Sequence, residues 1–320
     1  MTSRDMERVI RYMQDSTVAQ FDKQTQVGER VPANPAAGRQ SGYWLHGADT
    51  AAGERIVVDI HGGGFALGDA RRGDALREWV SKSYDVVAAG LDYRKTPEHP
   101  APAALEDVVA SLRDLSARFE DAGGHLPELY LLGFSAGGNL ALAAALQLLD
   151  DPRVRIGGLV LHYPMVDAHE VPVNDGNPAA LPFDLVMTFT EWYVCDIGDT
   201  DPRVSPALAP DEQVARLPRT VVYPVVGDAL YGQAVRLAER MASLGCDVAV
   251  HPVEGIYHGY IEDAENVEAY EALTMPKTIA SRPANYVQVA DEELRASLTE
   301  LLGPAVRDVS FPGTEKGGRA

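Results

Sequence analysis

The sequence predicts an α/β fold with a mostly parallel central sheet and helices on both of its faces. Three observations carry this prediction. Short apolar runs alternate with helical patterns along the chain, the signature of strand–helix–strand units. The run Ile56-Val57-Val58-Asp59-Ile60 feeds straight into His61-Gly62-Gly63-Gly64-Phe65. A second run, Glu128 to Leu132, feeds into Gly133-Phe134-Ser135-Ala136-Gly137 and then into the alanine-rich stretch Asn139–Leu146.

Taken from the amino terminus, Arg4–Phe21 sets Met6, Ile10 and Met13 at helical spacing on one face. Val31–Ser41, rich in Pro and Gly, reads as a linker. Ile56–Ile60 is a core-type strand, so the glycines behind it form a turn and not a flexible tether. Three consecutive glycines expose backbone N–H groups that no side chain shields, which suits a developing oxyanion. Ala104–Arg118 follows as a helix.

Glu128–Leu132 is again a short buried strand, and Asn139–Leu146 has high helix propensity. A strand that becomes a helix within one or two residues holds its turn residue in a strained conformation. Glycines two before and two after that residue keep neighbouring side chains away. The prediction is a Ser135 hydroxyl raised on a sharp elbow, with the following N–H groups aimed at its substrate.

Downstream, Gly158–Leu161 is a strand. The helical pattern Phe183–Val194, with Leu185, Val186, Phe189 and Trp192 on one face, is inserted before the next strand. Together with Arg4–Phe21 it predicts a small helical cap, built from residues 1–40 and about 165–205, the alternative for both pieces being ordinary core packing. Thr220–Val226 ends at Gly227-Asp228, Tyr231–Ser243 is helical, and Asp247–Val253 leads through Glu254 to Tyr257 into His258-Gly259-Tyr260.

A serine nucleophile needs a base, and the base needs an orienting acid. Asp228 and His258 stand just past consecutive strands, on the same carboxyl edge as Ser135, in the order serine, acid, histidine. Asp228 also reads as an N-cap ahead of Ala229-Leu230-Tyr231. The other seven of the eight histidines have plainer explanations. His46, His125 and His169 lie in polar turns, and His99 sits in a proline-bounded loop. His162 and His251 fall in strands, and His61 orders the glycine turn.

These residues resemble the hormone-sensitive-lipase-like family of α/β-hydrolases, a group of microbial esterases and plant carboxylesterases. The resemblance runs from about Gly42 to Gly259. It includes Asp92-Tyr93-Arg94-Lys95-Thr96-Pro97-Glu98-His99-Pro100 and Asp201-Pro202-Arg203-Val204-Ser205-Pro206. It implies an α/β-hydrolase fold and a triad of Ser135, Asp228 and His258. It also implies an oxyanion hole from the N–H groups of Gly63, Gly64 and Ala136, and an apolar lid that shapes the acyl and alcohol pockets.

Four departures stand out. Phe134 occupies a position where the family often has Asp, Gly232 one where it often has an acid, and Tyr260 one where it commonly has Phe. Finally, an extra segment, about Asp263 to Val289, follows the histidine. It is expected to form a wall of the substrate entrance or a homodimer contact, because it leaves the carboxyl edge beside the site.

The 320 residues, 46% of them hydrophobic, suit a single catalytic domain. Cys195 and Cys246 provide neither a disulfide framework nor metal-ligand spacing. The charged start from Met1 to Arg8 lacks the apolar stretch of a signal peptide, and no run approaches a membrane span, so a cytoplasmic protein is expected. A formal charge of -19 argues against nucleic acid as partner. The expectation is a cofactor-free, metal-free serine carboxylesterase acting on a small-molecule ester of small or medium acyl size. The alternatives are a lactonase, an amidase or a dehydratase or cyclase on the same fold, or a non-catalytic ligand receptor. Ser135 disfavours the dehydratases, whose nucleophile position generally carries Thr, and His258 disfavours the receptor, which loses the histidine.

Overall fold

Alternation along the strands decides the architecture. In a computed structural model, Ile56, Val58 and Ile60 of β3 (Arg55–Ile60) enter one apolar cluster, while Val57 enters a second. The same split sends Leu129 and Leu131 of β5 (Glu128–Phe134) to the first cluster, and Leu132 and Phe134 to the second. A strand buried on both faces needs a helical layer on each side. The structure describes residues 7–15, 28–33, 41–47, 54–123, 125–170, 181–195, 197–265, 283–312 and 314.

Among these residues the remaining strands are β1 (Glu29–Val31), β2 (Gly42–His46), β4 (Val87–Asp92), β6 (Arg155–His162), β7 (Thr220–Tyr223) and β8 (Val248–Val250). The sheet order is β1-β2-β4-β3-β5-β6-β7-β8. β2 is antiparallel to both of its neighbours, and every other pairing is parallel.

Residues 7–15 form helix α1. Helices α3 (Ala103–Gly123), α4 (Ala136–Gln147) and α7 (Tyr231–Ser243) cover the first face. Helices α2 (Asp74–Tyr84), α8 (Tyr260–Glu265) and the last helix, α9 (Tyr286–Leu302), cover the second. Helix α4 is buried from Ala136 to Leu146, which explains its composition: alanines let a helix with no exposed face approach the sheet closely. Helices α5 (Phe183–Val194) and the short α6 (Asp211–Val214) complete the set among the described residues.

Three expectations are adjusted. Residues 29–31, read as part of the cap, are an edge strand paired with Tyr43–Leu45. The linker accordingly begins after Val31, and residues 34–40 of it lie outside the described residues. The extra segment is largely outside them too, including Tyr270, Leu273, Met275 and Ile279. Its ends belong to helices, with Asp263 inside α8 and Tyr286 to Val289 opening α9.

Helices α1 and α5 meet through an apolar contact. Ile10 of α1 and Phe189 of α5 close with Ala66 into a small cluster, flanked by Leu67, Leu185 and Trp192. Met6 falls outside the described residues. At the other end, the chain beyond α9 returns across α2. Val306 N–H donates to the Ser83 carbonyl at 2.8 Å and Trp79 Nε1 to Val309 at 3.1 Å, and the Phe311 ring meets Trp79 edge-on at 5.3 Å.

Candidate active site

The serine turn follows from close backbone packing. A Cβ on Gly133 would lie 2.6 Å from the Gly137 carbonyl oxygen, and one on Gly137 would fall on the Ile60 carbonyl oxygen. Only glycine permits that crossing. Between them Ser135 is held at φ 52° and ψ -115°, a conformation uncommon for a residue with a side chain. Its own N–H donates to the His162 carbonyl at 3.0 Å, and its carbonyl accepts from Gly138 and Met165. The backbone is thereby fixed and the hydroxyl is left to face outward.

Ser135 Oγ lies 2.9 Å from His258 Nε2, and His258 Nδ1 lies 2.8 Å from Asp228 Oδ2. An ionised carboxylate only accepts, so Nδ1 carries the proton and Nε2 is the acceptor for the serine hydroxyl. Both the imidazole and the carboxylate are buried, at 7% and 1% side-chain exposure. The Tyr163 ring packs 4.8 Å from the imidazole and limits its tilt. Asp228 does not cap α7, which starts at Tyr231 with no side-chain cap. Its side chain turns to His258 instead.

The glycine turn after β3 lies opposite. Gly63 and Gly64 have φ of +112° and +60°, and their N–H groups have no backbone acceptor among the described residues. Ala136 is the first residue of α4, so its N–H has no intrahelical acceptor either. His61, buried and stacked 4.5 Å from Tyr93, orders the turn through Nδ1 to the Gly62 carbonyl at 2.7 Å. Burial, helped by the Lys95 charge, holds the His61 imidazole down at about 3, so it donates there as a neutral ring.

Gly63, Gly64, Ser135, Ala136 and His258 all line one cavity of about 150 Å³. Met13, Met165, Leu185, Val186, Phe189 and Leu230 give it an apolar side, with α1 and α5 both contributing. Arg72, Glu262 and Asp263 give it a polar side that those patterns did not reveal. The residues implied for the triad and for the oxyanion hole are thus brought together in one place. The other histidines stay apart: His162 is fully buried between the Phe134 and Tyr223 rings, and His46 pairs with Asp74 at 2.7 Å. Among the described residues no cluster of His, Cys, Asp and Glu could hold a metal ion, and no helix is long and apolar enough to cross a membrane.

Residues 57–262 match the model of a family described by the alpha/beta hydrolase fold. Esterase LipI of Mycobacterium tuberculosis strain H37Rv is 30% identical over 254 residues, covering 78% of this chain and 79% of that protein. Carboxylesterase NlhH of Mycobacterium tuberculosis is 30% identical over 229 residues, with 68% and 70% covered. A solved hormone-sensitive lipase from a metagenome library superposes with a TM-score of 0.65 at 25% identity, covering 85% of this chain and 96% of that one. Two glycine turns, one sheet order and a match across the middle two-thirds of the sequence lead to one conclusion: the chain belongs to the α/β hydrolase fold family.

Proposed function

We propose that the protein is a carboxylic ester hydrolase that acts on small or medium acyl esters through an acyl-enzyme on Ser135. The observation that carries this is the unbroken Ser135–His258–Asp228 chain, 2.9 and 2.8 Å, opening into a cavity lined by the Gly63, Gly64 and Ala136 backbone. Ser135 Oγ attacks the ester carbonyl carbon while His258 Nε2 takes its proton. Asp228 holds the Nδ1–H tautomer and stabilises the imidazolium. The three N–H groups receive the oxyanion, and each such donor contributes on the order of 10²–10³ in rate. His258 then protonates the departing alcohol, and water repeats the cycle on the acyl-enzyme.

The cavity volume bears on acyl size. A dry apolar cavity of about 150 Å³ holds a benzene ring, and the cavity here, with one apolar and one polar side, has about that volume. A short aliphatic or a single-ring acyl group fits that space, set against Met165, Val186 and Phe189. The names of the relatives, an esterase and a carboxylesterase, support the same reaction class.

Hydrolysis of short p-nitrophenyl esters and labelling by a fluorophosphonate test the reading. Ser135→Ala and His258→Ala should each lower turnover on the order of 10⁶-fold, and Asp228→Asn on the order of 10⁴-fold, with the fold unchanged by circular dichroism. Labelling that persists in folded Ser135→Ala would remove this serine from the mechanism.

A further inference from the structure

One buried carboxylate in the cavity takes no part in the chemistry above. Glu262, 8% exposed, stands on α8 one turn beyond His258, and its Oε1 accepts from the Gly62 N–H at 2.9 Å across 200 residues of sequence. No cation among the described residues forms an ion pair with it. Its partner is the peptide group next to the oxyanion turn.

The two peptide planes that precede the Gly63 N–H are gripped at their polar ends. The His61–Gly62 plane has its carbonyl bonded to Tyr93 Oη at 2.9 Å and its N–H bonded to Glu262. The Gly62–Gly63 plane has its carbonyl bonded to His61 Nδ1 at 2.7 Å. In a planar trans peptide the N–H points opposite the C=O. Fixing the Gly62 carbonyl therefore fixes the direction of the Gly63 N–H. Glycine has little torsional preference of its own, so these side-chain contacts, with the Gly63 carbonyl bonds to Ala66 and Leu67, set the turn.

Of these contacts, Glu262 alone comes from the histidine side of the site. Arg72, just past the oxyanion turn, reinforces the same seam: Nε donates to the Glu262 carbonyl at 3.1 Å and Nη2 to Asp263 at 2.9 Å. Asp263 in turn accepts from Tyr257 Oη at 2.9 Å, on the residue before His258. We propose that Glu262 is a positioning residue that holds the oxyanion turn in register with His258, so that base and oxyanion donors move as one body. This rests on the esterase reading given above.

The test compares Glu262→Ala, Glu262→Gln and Glu262→Asp on p-nitrophenyl butyrate, with fluorophosphonate inactivation and thermal melting alongside. The alanine variant should lose kcat by about 10²-fold, as a displaced donor does, with KM within about threefold of the parent. Glutamine keeps an oxygen at the same reach and should recover most of that loss. Aspartate keeps the charge but is one methylene short, and should resemble alanine. If alanine fails to fold, the aspartate variant decides in its place. An active parent with an undiminished alanine or aspartate variant overturns the assignment, as does a glutamine variant as slow as alanine. A parent that neither hydrolyses the ester nor takes the label overturns the esterase reading, and this assignment with it.

Discussion

The serine turn after β5 and the glycine turn after β3 stand at the carboxyl ends of adjacent parallel strands, yet different things hold them. At the serine turn, Gly133 and Gly137 meet backbone: the Gly137 carbonyl, the Gly138 Cα and the Ile60 carbonyl. At the turn after β3, Gly63 meets the Leu67 backbone, but Gly64 meets the ring of Phe189 from α5, and Gly62 meets the Glu262 carboxylate and the Phe134 carbonyl. The first turn is thus a product of backbone packing between β3, β5 and α4. The second is held in part by side chains from elsewhere in the chain, so its position can be adjusted by substitutions that leave the sheet alone.

The largest effect should come from attacking the first turn. Gly137→Ala has no side chain to displace, only the β3 backbone, and should destabilise the protein by more than about 4 kcal/mol. Urea unfolding would measure it, and a stable, active Gly137→Ala protein would end the contrast.

A smaller and reversible effect is expected at the second turn. Gly64→Ala adds a Cβ against the Phe189 ring at a positive φ, and should lower kcat by about 10²-fold while the protein stays folded. Adding Phe189→Ala should recover part of the rate, because contacting residues couple by roughly 0.5–3 kcal/mol. Strict additivity of the two changes would show that the cap does not bear on the turn.

The smallest effect sharpens the comparison through pH. Burial holds the imidazole of His162, whose carbonyl anchors Ser135, at about 3, against its usual 6.5. Between those values the unfolded chain binds a proton that the native state refuses. Stability is therefore full above about pH 6.5 and declines as pH falls toward 3. His162→Phe, stacked between the same rings, should flatten this decline in a series of thermal melts. An unchanged acid limb would assign the loss to other groups, His61 first among them.

The same contrast explains what could be read from the residues alone. The serine turn is local, and its strand, glycines and helix sit side by side in the sequence. Phe183–Val194 has the very bounds its periodicity predicts, because one apolar face of α5 points at the glycine turn after β3 and the cavity. Asp228 and His258 were legible from order and from their places after β7 and β8. Glu262 was not. Its only clue is a charged pair, Glu262-Asp263, set among the buried residues Tyr260, Ile261 and Ala264, and its partner is 200 residues away. Arg72 was hidden for the same reason. Edge strand β1 is hidden within residues 1–40 because three residues are too few to show a period, and its partner strand supplies the register.

The return of the chain across α2 bears on the order in which the molecule can be finished during synthesis. Trp79 belongs to the first third of the chain, and its indole donates to Val309, 230 residues later, with Phe311 against its ring. On a chain made from the amino end, α2 and the strands beside it leave the ribosome long before that cover exists. Until residues 306–311 emerge, the Trp79 face of α2 is open to water and to any other apolar surface nearby. Among the described residues this seam joins parts of the chain far apart in sequence, so the Trp79 face of α2 keeps its exposed apolar surface through most of synthesis.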